Sequence, residues 1–272
     1  MHAYARGAGR LIVSVMAAAL LSAGAAQAAK APPKQLELYA MDCGKFPVPD
    51  ADMFSDDGAY KGVSRTLIVP CYLVRHPKGD LVWDTGVPQS KQALLDQLKQ
   101  LDLEPADIEY VSVSHGHFDH IGNAGLFASG TWIVDPDERA YVFNENARKN
   151  AQQFAGYSAL ETSKSISIDK PTHDVFGDGS VVIHQAPGHT PGHTILEVKL
   201  KEAGTVLLTG DLWHLAESRA NKRVPRFNVD KDATLKSYEL TEALAAKTKA
   251  RVVREHVMED FEALPKFPAA LK

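Results

Sequence analysis

Alternation of apolar and polar positions organises the chain from about residue 35 onward, and its period changes in a regular order. Gln35 to Met41 and Thr66 to Arg75 read as strands, the second rich in β-branched residues. Pro70 inside that run predicts an edge or a bulge, because proline cannot donate to a ladder. Asp80 to Trp83 is a short third strand. Lys91 to Leu103 switches to helical spacing, with Leu94, Leu95, Leu98 and Leu101 on one side and Asp and Gln on the other. Ile108 to Ser114 and Thr131 to Val134 return to strand. Pro136 to Phe154 predicts one helix, with Asp135 as its cap and Pro136 in its first turn. The next thirty or so residues are mixed and polar. Strands follow at Val181 to His184, Thr194 to Leu200 and Thr205 to Thr209, then a helix over Ala233 to Lys247 and a last strand at Arg251 to Arg254. No stretch reads as a linker. The pattern predicts one domain, 29 to 272, of layered sheets covered by helices.

The first 28 residues stand apart. Arg6 and Arg10 precede an apolar run from Leu11 to about Ala23, and Ala26-Gln27-Ala28 offers small residues at the positions a signal peptidase reads. The run is apolar on every side rather than on one stripe, which argues against a buried helix. It is also shorter than the ~20 residues of a bilayer span. We therefore expect a signal peptide cleaved near Ala28, no membrane anchor, and a periplasmic or secreted mature protein. Losing those two arginines moves the formal charge from −4 to −6, so a nucleic-acid surface is not expected. In an exporting compartment Cys43 and Cys71 are either joined or two small buried residues, and the pattern leaves both open.

With 11 histidines against 2 cysteines, the chemistry lies in imidazoles. His115, His117, Asp119 and His120 form H-x-H-x-D-H directly after the apolar strand Ile108 to Ser114. Residues two apart in extended chain point the same way, so His115 and His117 face one ion while the turn brings Asp119 and His120 to a second. His189 lies in a turn of glycines and prolines, Pro187-Gly188-His189-Thr190-Pro191-Gly192-His193. Asp211 and His256 each follow a strand.

On these residues the sequence resembles the metallo-β-lactamase-fold hydrolases. The family's motifs run in order from Asp84-Thr85-Gly86 through the histidine run, His189, Asp211 and His256, over about residues 35 to 260. The resemblance implies an α/β fold, a single-domain αββα sandwich with two divalent metal ions, expected to be zinc, in a cleft at its top. It implies that His115, His117 and His189 hold the first ion, that Asp119, His120 and His256 hold the second, and that Asp211 bridges them. Asp84 would orient a ligand histidine through its carboxylate. His193 would play a similar supporting part or shape the turn. Two such ions lower the pKa of a shared water from ~15.7 toward ~7, and the resulting hydroxide attacks a carbonyl, with Asp119 managing the proton.

Within the superfamily the chain is most similar to N-acyl-homoserine lactonases, through Leu38-Tyr39, Cys43-Gly44, Pro70 to Val74, Trp83 to Gly86, Phe118 and Ala186 to His193. Those lactonases have a Tyr three residues after the bridging Asp, contacting the substrate carbonyl; here that residue is His214. Phe118, Trp213 and His214 are the candidate substrate contacts, and Phe54 and Tyr60 are further aromatics in or beside loops. The expected partner is a small molecule, a lactone or another ester or amide, and a homodimer is compatible with this reading. A class B3-like β-lactamase, a phosphotriesterase of the same fold and a non-catalytic metal-binding protein are the competing readings; a flavodiiron reductase is disfavoured because His117 stands where its motif resembles Glu.

Overall fold

The computed structural model describes residues 1–2 and 31–272, so nearly all of the expected signal peptide lies outside the described residues. Two sheets stack face to face. The first runs in chain order, β1 (Glu37–Val48), β2 (Arg65–His76), β3 (Gly79–Trp83), β4 (Tyr110–Ser112), β5 (Thr131–Val134) and β6 (Ser165–Ser167), antiparallel up to β3 and parallel thereafter. The second is β7 (Thr172–Asp174), β8 (Val181–Gln185), β9 (Thr194–Leu200), β10 (Gly204–Leu208) and β11 (Arg251–Val253), with only the last pair parallel.

Side-chain alternation explains the layers. Leu38, Ala40, Tyr72, Val74, Leu81 and Trp83 face Val181, Ile183, Leu196, Val198, Val206 and Leu208 between the sheets. Their neighbours Tyr39, Met41, Cys71, Leu73 and Val82 point the other way, onto α1 (Lys91–Gln100) through Leu94 and Leu98. Each large apolar side chain buried this way contributes about 1.5–3 kcal/mol. Two short helices, α2 (Phe118–Ile121) and α3 (Pro136–Val142), continue that outer layer. The αββα arrangement expected from the sequence is the one observed.

Pro70 sits where β2 has passed the end of β3 and pairs only with β1, opposite a register shift between Asp42 and Lys45. The bulge holds Gly44 at φ +125°, and Cys43 within it forms a disulfide with Cys71. Both half-cystines are fully buried, and closing that loop contributes about 3–4 kcal/mol in the chain-entropy account.

The single helix expected over 136–154 is three: α3, α4 (Glu145–Lys149) and α5 (Ala151–Ala155). Asn144 and Asn150 break it, because each side chain accepts from a backbone N–H three residues on and so caps a new helix. β6 and β7, α6 (Ala216–Asn221) and α8 (Met258–Glu262) carry no clear apolar period and were not expected. The long helix α7 (Lys231–Thr248) starts at the cap Asp230 and buries Thr234, Ser237, Tyr238, Thr241 and Ala245 as one face. Among the described residues no helix is long and apolar enough to cross a membrane.

Candidate metal centre

Strand directions bring the chemistry to one rim. β3 and β4 run parallel, as do β8, β10 and β11, and the loops leaving their C-terminal ends carry Asp84, the histidine run, His189, Asp211 and His256. His115 Nε2, His117 Nδ1, His189 Nε2 and Asp211 Oδ2 form one group: His117 lies 2.9 Å from His115 and 3.1 Å from His189, and Asp211 lies 3.5 Å and 3.4 Å from the same two. Asp119, His120 and His256 form the adjoining group. Asp211 Oδ1 faces it, 3.2 Å from His120 Nε2 and 3.0 Å from His256 Nε2. Each carboxylate oxygen of Asp211 thus serves one group.

The donor set fits divalent metal ions. His120 Nε2 and Asp211 Oδ1 are buried with no hydrogen-bond partner, a costly state for polar atoms unless a cation takes the lone pairs. Imidazole nitrogens with few carboxylate oxygens suit borderline ions such as zinc.

A surrounding shell of residues orients the imidazoles. Asp84, held at φ +55°, accepts from Ser114 N at 2.7 Å through Oδ1 and meets His120 Nδ1 at 3.2 Å through Oδ2. Thr85 N and Oγ1 both donate to His120 O. His256 Nδ1 donates to Ile68 O at 2.8 Å, on the stretch of β2 beside Pro70. His193 lies outside both groups: its Nε2 accepts from Asp211 N at 3.1 Å while Nδ1 donates to Ala186 O at 3.2 Å, so it positions the shared aspartate. Asn228, which spacing did not reveal, meets His189 Nδ1 at 3.3 Å and is itself tied to Gly188 and Thr234. Glu255 is buried beside Asp84 and His120, and burial together with Asp84 holds its carboxyl well above the usual range. Neither residue sits in a recognisable spacing.

The two groups differ in proton affinity. Burial holds His115 well below the ordinary imidazole value and takes His117 down to about 3, with neighbouring histidines adding to the effect. Burial also opposes charge on His120 and His256, but Asp211 and then Asp119 outweigh it, raising His120 well above normal and His256 to about 9. At neutral pH the metal-free protein therefore carries a second imidazole proton on His120 and His256 and a single one on each of His115 and His117. Metal binding at the second group must displace that second proton, whereas at the first it displaces none from His115 or His117. Affinity at the Asp119 group is expected to rise about tenfold or more per unit between pH 6 and 8, with that at the His115 group changing less. Titrating metal into the metal-free chain in buffers of different ionisation enthalpy reads the proton release; equal pH dependence at both groups would refute this assignment.

Beside the two groups opens a cleft of about 470 Å³, reaching His117, Asp119, Asp211, His214 and His256 at its base. Phe46, Met53, Phe54, Phe118 and Phe227 make its apolar wall. Phe118 and Met53 remain 44% and 47% exposed at the mouth, unusual for side chains of this size. His214 is buried against Phe54, ring centroids 4.9 Å apart, with Nε2 3.0 Å from Asp211 Oδ2. Trp213 is not in the cleft. Successive side chains of extended backbone point to opposite sides, and Trp213 goes under α7 against Tyr238, ring centroids 5.1 Å apart. Tyr60 is likewise core, in a small cluster with Val48, Phe54 and Leu215. Met53 and Phe227 went unmarked in the sequence because isolated apolar residues carry no period, and Phe46 because the bulge between Asp42 and Lys45 interrupts the alternation of β1 before it.

The family described as the Metallo-beta-lactamase superfamily matches residues 65–252. N-acyl homoserine lactonase AttM of Azorhizobium caulinodans is 28% identical over 270 residues, covering 86% of this chain and 97% of its own. N-acyl homoserine lactonase AiiA of Bacillus thuringiensis subsp. kurstaki is 27% identical over 231 residues, 74% of this chain and 86% of its own. Among solved structures, a quorum-quenching N-acyl homoserine lactone lactonase superposes with a TM-score of 0.74 at 26% identity, over 88% of this chain and 100% of that one. An N-acyl homoserine lactone hydrolase with the product N-hexanoyl-L-homoserine at its catalytic metal centre gives 0.72 at 25% identity, over 86% and 98%.

Proposed function

The chain belongs to the metallo-beta-lactamase superfamily, and from that premise we propose that it is a binuclear, zinc-dependent hydrolase that opens the lactone ring of N-acyl-homoserine lactones. The observation that carries this reading is an apolar cleft ending on Asp119, Asp211 and His214. A polar ring at the base and an acyl chain along Phe46, Phe118 and Phe227 match that division of surface. The shared carboxylate argues against a class B3-like β-lactamase, a subgroup that lacks it: Asp211 meets both groups of ligands here.

When bound, the two ions supply Lewis acidity, lowering the pKa of water and polarising a carbonyl oxygen. The chain's own groups do the rest. Asp119 lines the cleft floor with Oδ2 3.5 Å from His256 Nε2, placed to take up a proton. Burial lowers His214 to about 4, so at neutral pH its imidazole is uncharged; its one N–H is on Nε2, 3.0 Å from Asp211 Oδ2 at the cleft base, and is the donor a substrate carbonyl there would share. Phe54 fixes the plane of that ring, and the apolar wall keeps bulk water from the acyl chain.

Residues 1–28 are read as a signal peptide and 29–272 as the mature domain, periplasmic or secreted. The Cys43–Cys71 disulfide supports export, since such bonds persist in oxidising compartments.

Side-by-side assays with an acyl-homoserine lactone, a carbapenem and paraoxon test the proposal. The lactone should be turned over with the highest kcat/KM. His214→Ala should lower that value roughly 10–100-fold, about 1.4–2.7 kcal/mol, with metal content unchanged, and His214→Tyr should restore much of it. Faster turnover of carbapenem or paraoxon overturns the lactonase reading; an unchanged alanine variant removes His214 from the site.

A further inference from the structure

Glu138 is the third residue of α3, where a glutamate ordinarily points to water. Instead it is 1% exposed, and no step described above uses it. Both of its oxygens are committed. Oε1 accepts from Gly116 N at 2.6 Å, and Oε2 accepts from Thr190 Oγ1 at 2.7 Å and Gly192 N at 3.0 Å. Gly116 lies between His115 and His117, and Thr190 follows His189 directly. One carboxylate therefore joins the loop that carries two nitrogens of the first group to the loop that carries the third.

The surrounding contacts are as close as backbone allows. A Cβ at Gly116 would fall 2.1 Å from Val142 Cγ1 and 3.1 Å from Glu138 Oε1, and one at Gly192 would fall 2.4 Å from Glu138 N. Both loops lie flat on α3, which is itself anchored: Asp135 caps it through Asp137 N and accepts from Gln185 Nε2 at 2.7 Å. Burial raises the Glu138 carboxyl to about 7 despite its three donors, so a buried acid is retained at a cost.

We propose that Glu138 is a positioning residue that sets the spacing of His115 and His117 against His189, and so the affinity of the first metal ion. The assignment rests on the binuclear reading. Its test is metal affinity by chelator competition with Zn2+, ion by ion, with Co2+ absorption distinguishing the two sites. In Glu138→Gln the amide must turn an N–H toward one of the loops, so affinity for the His115 ion should fall about 10–100-fold. Affinity for the Asp119 ion and the melting temperature of the metal-free chain should hardly change. Thr190→Val, which deletes one donor, should weaken the same ion by less, and Thr190→Ser should restore it; this pair decides the matter if Glu138→Gln does not fold. A wild-type chain that takes up no pair of ions overturns the binuclear reading and this assignment with it. A wild type that loads both ions, with Glu138→Gln equally tight or weakened equally at both sites, overturns this assignment alone.

Discussion

Replacing Asp211 with Ala should remove tight binding of both proposed metal ions and lower kcat/KM by at least about 10⁴-fold, about 5.5 kcal/mol. The size follows from geometry. Asp211 Oδ2 lies within 3.5 Å of His115 and His189, and Oδ1 within 3.2 Å of His120 and His256, so one carboxylate faces the Nε2 atoms of both groups. Its charge matters as much as its position. Against the effect of burial, His256 and His214 hold its carboxyl well below the usual carboxylate range, and in return it keeps His120 and His256 protonated in the metal-free chain. Asp211→Asn keeps the shape and one acceptor but not the charge, so it should retain a weak ion and still lose most activity. Elemental analysis after metal-replete purification, alongside kinetics, checks both variants. Two ions still bound to Asp211→Ala, or a loss under tenfold, would show that Asp211 does not link the groups.

What the sequence made legible divides along a physical line. Strands with one face on each core, such as Leu38 to Met41 and Leu81 to Trp83, announce themselves because burial imposes a period of two. Metal-ligating residue types clustered in six residues do so as well, since a solvated loop has no reason to collect three histidines. Residues that act through distant partners leave no such trace. Glu138 reads as a solvated helix position until its partners, 22 to 54 residues away, fold against it. Asn228 looks like one more polar loop residue. Asn144 and Asn150 were legible in principle, as caps inside an otherwise continuous helical pattern, but helical spacing outweighed them. Trp213 was misplaced because its neighbour His214 faces the cleft, and extended backbone sends adjacent side chains to opposite sides. His193 stood near enough to the ligands to be singled out, yet only the fold shows its ring accepting from Asp211 N rather than entering either group.

His117→Ala separates the site from its surroundings most sharply. His117 Nδ1 lies between its partners, 2.9 Å from His115 Nε2 and 3.1 Å from His189 Nε2. Its removal should cost the first ion while the Asp119 ion stays, taking metal content from about two per chain to about one. With one Lewis acid gone, kcat/KM should fall at least about 10³-fold, about 4 kcal/mol. His184→Ala is the matched control, an imidazole on the strand leading to the His189 turn. His184 Nε2 pairs with Glu197 Oε2 at 2.9 Å on the neighbouring strand and points to neither group. Because Glu197 is buried, losing its partner should cost about 1–3 kcal/mol of stability and leave metal content and kinetics as they were. Equal metal loss in the two variants would mean that β8 and its turn, rather than His117, govern the first ion; full metal content in His117→Ala would take His117 out of the ligand set.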